Sequence, residues 1–269
     1  MKRFKVVLAD NDGTLVNDDH QLTERTRKAL ESLHEAGYLI GIASGRTIDD
    51  LKTYPGKWGL SFDFDIIIGL NGAELYDASD DTITREGYLS PEKSKKIVEK
   101  VAPFNYTMQY TKGKHYYFNR LDDFARASMS RNGNLISRVT DDISDFWAEE
   151  VPKIIVRLPV EEMPAFEQYW KDHPIEGVVS FKTQPFVYEF MAEGTDKKVA
   201  MHRFCEKHDI ALDEVISFGD TTNDNGMLKD SYGVCMANGS PDTKASAEEI
   251  TEFTNNEDGF ADYVEKHLL

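Results

Sequence analysis

Phe4-Lys5-Val6-Val7-Leu8-Ala9-Asp10-Asn11-Asp12-Gly13-Thr14-Leu15 begins as an apolar run and halts abruptly at Asp10. Consecutive Val6, Val7 and Leu8 predict a strand buried on both faces, the kind found inside a parallel sheet. In open α/β sheets, ligands sit just beyond the carboxyl ends of the strands, so Asp10 stands where substrate binds. Gly13 permits a sharp turn after Asp12, and both carboxylates can then be aimed at one point. Such a pair can hold a divalent cation through oxygen. Alternatively, one carboxylate attacks an electrophile while the other moves protons. The plainer alternative is a strand ending in an acidic turn, since Asp and Gly are ordinary turn residues.

Outward from this stretch, Leu22, Ala29, Leu30, Leu33 and Ala36 recur at helical spacing, with Thr23 as N-cap and Gly37 as the stop. Residues 38–43 predict a second buried strand, ending in Ser44-Gly45-Arg46-Thr47, with a helix starting near Ile48. Strand, helix and strand make one parallel crossover unit. Residues 65–69 predict a third buried strand, ending in Leu70-Asn71-Gly72-Ala73 and followed by a short hairpin element at Glu74-Leu75-Tyr76.

Past the acidic loop 77–81 the texture changes to alternating, aromatic-rich strands with helices between them, including a hairpin around Lys112-Gly113. The first pattern resumes with a helix over 197–208 and a fourth core strand over 214–218 that ends in Gly219-Asp220. A helix from Asp224 and a last strand near 232–237 follow. The expected fold is α/β: a Rossmann-like parallel sheet core with helices on both faces, built from 1–82 and 190–269, with a mixed α/β module inserted over 83–189.

The 269 residues are 40% hydrophobic and 11% aromatic, enough for one large or two modest cores. A net charge of −17 repels nucleic-acid phosphates and anionic lipid, so neither is an expected partner. Cys205 and Cys235 have no metal or redox spacing and read as small buried hydrophobes. Lys2, Arg3 and Lys5 precede an apolar run too short for a signal peptide, and no run is long enough to cross a bilayer. The expectation is a cytoplasmic monomer or small homo-oligomer.

Chemistry collects at the strand ends. Asp10 and Asp12 follow the first strand, Ser44 and Gly45 the second, Asn71 and Gly72 the third, and Asp220, Asn223 and Asp224 the fourth. Carboxylates select a hard cation such as Mg2+. A hydroxyl, a lysine and free N–H groups at a helix start suit a phosphate. Together they describe phosphoryl transfer.

Four motifs in this order resemble the haloacid dehalogenase superfamily of phosphatases, in its Cof-type branch with an α/β cap: Asp10-Asn11-Asp12-Gly13-Thr14-Leu15, Ser44-Gly45-Arg46, Asn71-Gly72-Ala73 and Gly219-Asp220-Thr221-Thr222-Asn223-Asp224. The resemblance implies a Mg2+-dependent phosphatase acting on small phosphorylated metabolites such as sugar phosphates. Asp10 would be the nucleophile, and Asp12 would protonate the leaving alcohol and then activate water. Asp10, Asp220, Asp224 and the Asp12 carbonyl would bind the metal. Ser44, Gly45 and Asn223 would hold the phosphate, with Arg46 and Asn71 facing substrate or cap. A lysine would neutralise the phosphoryl oxygens; the Lys197-Lys198 pair leaves two candidates, of which Lys197 is favoured by its distance from Gly194. Asn11 departs from the apolar residue usual between the two aspartates, which bears on the hydrogen bonding of Asp12.

Three other readings share parts of this pattern. A receiver domain uses a strand-end Asp with Ser or Thr and Lys, but is about half this length and needs no second carboxylate at position 12. A non-catalytic phosphometabolite-binding relative fits poorly with both Asp10 and Asp12 present. A phosphomutase or sucrose-phosphatase-like enzyme would use the same core. Most of the module's aromatics read as its own core, with Tyr116, Tyr117 and Tyr188 as candidates to face substrate.

Overall fold

The computed structural model describes residues 4–113, 115–131 and 136–269; Lys2 and Arg3 lie outside the described residues. The chain divides into two compact units, Met1–Arg85 with Asp196–Leu269, and Glu86–Thr195. In chain order the first unit begins with β1 Val6–Asp10, α1 Glu24–Glu35, β2 Leu39–Ala43, α2 Ile48–Leu51, α3 Tyr54–Trp58, β3 Ile66–Gly69, β4 Glu74–Asp77 and β5 Thr82–Arg85. The second unit holds α4 Pro91–Val101, β6 Thr107–Lys112, β7 His115–Phe118, α5 Asp123–Arg131, β8 Ile136–Val139, β9 Ile154–Arg157, α6 Met163–Asp172, β10 Val178–Gln184 and β11 Val187–Ala192. The first unit then closes with α7 Lys197–Lys207, β12 Val215–Gly219, α8 Asn225–Asp230, β13 Tyr232–Cys235, α9 Pro241–Lys244, β14 Glu249–Ile250 and α10 Gly259–His267.

The first unit is an eight-stranded sheet in the order β14-β13-β12-β1-β2-β3-β4-β5. The stretch from β14 to β3 is parallel, while β4 and β5 add antiparallel. β1 sits in the interior and is buried on both faces. Val7 and Ala9 pack with Leu30 and Leu33 of α1 and Phe260 and Val264 of α10. Val6 and Leu8 turn to the other side, against Ala200, Met201 and Phe204 of α7 and Met227 of α8. The fold is thus α/β, with helices on both faces of a parallel core. Cys205 lies buried in that second cluster, and Cys235 is buried and free at the end of β13.

The second unit is a six-stranded sheet in the order β10-β11-β9-β6-β7-β8. Its own core includes Ile97 and Val98 of α4, Phe166 and Trp170 of α6, and Tyr110, Tyr188 and Phe190 of the sheet. Tyr188 is therefore committed to packing, its hydroxyl 3.1 Å from Ser180 Oγ, and is not free to meet substrate, whereas Tyr117 stacks on Tyr110 at 4.8 Å and stays partly exposed. Residues 83–85 pair within the first sheet, whereas 190–195 stay with the second. The exposed Thr82-Ile83-Thr84-Arg85 alternation reads in sequence like the module's own strands, which is why the texture shifts before the sheet does. No helix among the described residues is long and apolar enough to cross a membrane.

Candidate active site

Strand order runs β1-β2-β3 in one direction and β12-β13-β14 in the other. The reversal falls at the carboxyl end of β1, where doubly wound sheets leave a crevice. Asp10 ends β1, Ser44 follows β2, Asn71 follows β3 and Asp220 follows β12. Gly13 has φ +86°, and a Cβ there would lie 2.4 Å from Asp220 Oδ2. Only glycine lets the loop after β1 come this close to the loop after β12. Thr14 Oγ1 then donates to Asp220 Oδ1 at 3.2 Å.

Asp10, Asp220 and Asp224 are all buried and offer oxygens within 4.8 Å of one another. Lys197 Nζ, 0% exposed, donates to Asp10 Oδ1 and to Asp224 Oδ1, both at 2.6 Å. Asp196 caps α7 by accepting the Lys198 N–H at 2.8 Å, while the Lys198 side chain points outward near Asp230. Of the two lysines, Lys197 is the one at the cluster. Gly72, at φ +101°, packs where a Cβ would meet Asp196 O at 2.2 Å, so the turn after β3 seats the start of α7. The second oxygen of Asp224 accepts the N–H groups of Asp220 at 3.0 Å and Thr221 at 3.1 Å, which organises the loop after β12.

Burial raises the pKa of Asp10, and the neighbouring Asp224 and Asp220 raise it further against the pull of Lys197. Burial and the Asp224 charge push Asp220 up to about 7. Burial opposes the charge on Lys197, but Asp10 and Asp224 outweigh it and hold the ammonium protonated. Three carboxylates facing one ammonium leave excess negative charge in a buried place. That donor set, all oxygen and all hard, fits one divalent cation such as Mg2+.

The Asp12 carboxylate is not among the three. Arg46 grips it with two bonds, Nε to Oδ2 at 3.1 Å and Nη2 to Oδ1 at 2.9 Å, and His20 Nδ1 lies 3.0 Å from Oδ1. Burial raises its pKa, but Arg46, the Asn11 amide and His20 together win and lower it. Asn11 does bear on the hydrogen bonding of Asp12; its own Oδ1 is buried without a partner. Arg46 also approaches Asp50 at 3.5 Å. Ser44 Oγ accepts the Arg46 N–H at 3.3 Å, Asn71 N–H donates to the Ser44 carbonyl at 3.0 Å, and Asn223 Nδ2 donates to Asn71 Oδ1 at 3.2 Å. The loops after β2, β3 and β12 are therefore stitched into one rim.

A family model described as haloacid dehalogenase-like hydrolase matches residues 7–264. The chain belongs to that family. As a haloacid dehalogenase-like hydrolase it has relatives in Bacillus subtilis strain 168. One is 5-amino-6-(5-phospho-D-ribitylamino)uracil phosphatase YitU, 26% identical over 98% of this chain and 97% of that protein. Another is phosphatase YwpJ, 23% identical over 99% of this chain and 100% of that protein. Among solved structures, a haloacid dehalogenase-like hydrolase from Bacteroides thetaiotaomicron superposes with a TM-score of 0.86 at 24% identity, covering 98% of this chain and 99% of that one. A haloacid dehalogenase-like hydrolase from B. subtilis superposes with a TM-score of 0.84 at 21% identity, covering 99% and 100%. These two likenesses speak for the fold. Thr14 belongs to the first motif, but its bond to Asp220 carries no signal in the sequence, and His20 reads there only as one polar residue in the run Asn17-Asp18-Asp19-His20.

Proposed function

We propose that this hydrolase is a Mg2+-dependent phosphatase that hydrolyses phosphate monoesters of small metabolites through an aspartyl-phosphate. The observation that carries this reading is the buried Lys197 ammonium clasped between Asp10 and Asp224, with Asp220 in the same 4.8 Å cluster. Asp10, Asp220 and Asp224, with the Asp12 carbonyl, would hold the cation. When bound, Mg2+ supplies positive charge against the phosphoryl oxygens and relieves the repulsion among the carboxylates.

In this reading Asp10 attacks phosphorus, and the bond from phosphorus to the ester oxygen breaks. Lys197 steadies Asp10 and offers positive charge to the transferring group, while Ser44, Gly45 and Asn223 hold its remaining oxygens. Asp12 gives its proton to the departing alkoxide. It next takes a proton from the water that attacks the aspartyl-phosphate, releasing phosphate and restoring Asp10. The lowered pKa of Asp12 suits the second half of the cycle, where it acts as base. A dianionic ester brought beside it raises the same pKa and prepares the first half.

The second unit, Glu86–Thr195, is assigned the role of cap and the choice of leaving group. Two of the relatives, YitU and YcsE, are named as phosphatases of a ribityl phosphate, so polyol and sugar phosphates come first among substrates to try. The test is phosphate release from a panel of sugar, polyol and aryl phosphates with Mg2+ and with EDTA. Release that needs Mg2+ supports the reading; no release from any ester, or equal release in EDTA, overturns it.

A further inference from the structure

We propose that His20 is a positioning residue for Asp12, holding that carboxylate in line with the leaving group; the inference rests on the phosphatase reading above. His20 Nδ1 lies 3.0 Å from Asp12 Oδ1, while Arg46 grips the carboxylate with two bonds of its own. Arg46 alone fixes the plane of the carboxylate but leaves it free to follow a long side chain, itself 32% exposed. A second donor, eight residues further along the loop that carries Asp12, restricts that freedom.

The backbone is built to deliver the ring. His20 sits at φ +58°, a left-handed conformation that a residue with a Cβ rarely adopts. The turn is closed by the His20 N–H to Asn17 O at 2.9 Å, the Gln21 N–H to Asn17 Oδ1 at 2.9 Å and the Asn17 N–H to Gln21 O at 3.1 Å. It is then pinned from outside. Asn255 Nδ2 donates to Val16 O at 3.0 Å and to Asp18 Oδ1 at 3.1 Å. Asn256 Nδ2 donates to Asp18 Oδ2 at 2.9 Å, and Asn256 Oδ1 accepts the Asp18 N–H at 2.9 Å. An exposed turn that served only to connect would not need four bonds from a segment so distant in sequence, and a glycine would fit its tip without strain. The strained residue is the one whose ring reaches Asp12.

Gly and Asn at position 20 separate ring from backbone. His20→Gly relieves the left-handed strain and removes the donor. His20→Asn tolerates the same backbone and places an amide N–H near the position of Nδ1. The readout is kcat/KM, which covers the steps through departure of the leaving group, for an alkyl ester such as ribitol 5-phosphate and for acetyl phosphate, whose leaving group needs no proton. His20→Gly is expected to lower kcat/KM for the alkyl ester about tenfold, a fraction of what general acid catalysis supplies, with acetyl phosphate changed less than about twofold. His20→Asn is expected to stay within about threefold of the wild type on both. The proposal is overturned if His20→Gly loses nothing, if it loses equally on both substrates, or if Asn rescues no better than Gly. The alkyl ester is one that the wild type cleaves in the panel above; a wild-type protein that cleaves no ester of that panel overturns the phosphatase reading, and the role of His20 with it.

Discussion

Asp10 Oδ1 is held by Lys197 at 2.6 Å, so its side chain is already oriented before any substrate arrives. Asp10→Asn keeps that shape and removes the charge that, in the proposed mechanism, attacks phosphorus. Phosphate release should fall by roughly 10³-fold or more, as when an essential member of a catalytic unit is lost. Near wild-type turnover by an Asp10→Asn protein whose substitution is verified by mass would end the aspartyl-phosphate proposal. Asp220 carries a second prediction at this scale. Burial and the Asp224 charge push it up to about 7, above its value of about 3.9 in an unfolded chain. In the metal-free protein the folded state therefore binds the more protons between those two values, and stability falls as pH rises from about 4 through about 7. A cation needs the carboxylates ionised and competes with those protons. The rise in Tm on adding MgCl2 should thus be larger at pH 8 than at pH 5.5. Thermal scans showing an equal or larger rise at pH 5.5 would remove Asp220 from the metal site.

The element that bridges the chemistry to the fold is α7. Its first residue is Lys197, and its far end is tied to the end of β4 through Asp77, which accepts Lys207 Nζ and, from the following residue, His208 Nε2, each at 2.7 Å. Ser79 adds its N–H at 3.0 Å and its Oγ at 2.7 Å. Burial raises the Asp77 pKa, but Lys207, His208 and Ser79 outweigh it and pull it well below the usual carboxylate range. A lowered pKa contributes stability above the unfolded value of about 3.9 and loses it as pH falls toward the folded one. Asp77→Asn should cost about 1–3 kcal/mol at pH 7, the worth of hydrogen bonds to a charged group. Tm should drop by roughly 2–10 °C, and the gap from wild type should narrow below about pH 4. A gap that is constant with pH would show that the bonds, and not the charge, hold the helix end.

The same elements show what can be read from residues alone. Apolar runs that stop at polar, glycine-containing turns mark β1, β2, β3 and β12, and these are the strands whose ends meet. Their pattern is legible because each is buried on both faces and each turn has its own local chemistry. α10 and β14 carry no such signal. β14 is only Glu249–Ile250, too short for any periodicity, and α10 begins at Gly259, a residue that reads as a helix stop. His20 escapes a reading of the sequence because its link to Asp12 is made by a left-handed turn, which side-chain spacing does not encode. Tyr188 misleads for a different reason: alternation shows that a strand has two faces, but not which face the helices cover.

At the scale of the whole molecule the charge of −17 acts on every encounter with an anionic ester. Repulsion lowers the local concentration of substrate, and salt screens it as the Debye length shrinks from about 30 Å at 0.01 M to about 8 Å at 0.15 M. With MgCl2 held constant, kcat/KM for a sugar phosphate should rise with added KCl across that range. A fall instead would mean that Arg46 and Lys197 dominate the field a substrate feels.

The interior place of β1 has a consequence for how the chain is made. β2, on one side of β1, is complete by Ala43, but β12, on the other, begins only at Val215. A ribosome adding about 5–20 residues per second needs roughly 10–40 s to span that interval. Throughout it, one edge of an apolar strand stands open, with Asp10 in place and Asp220 not yet synthesised. The second unit, by contrast, is continuous in sequence from Glu86 to Thr195 and can close on its own core during that wait. The nascent protein thus acquires its inserted unit first and its chemistry last, and a truncation anywhere before Asp224 leaves a chain whose central strand has no second neighbour or whose acidic cluster is incomplete.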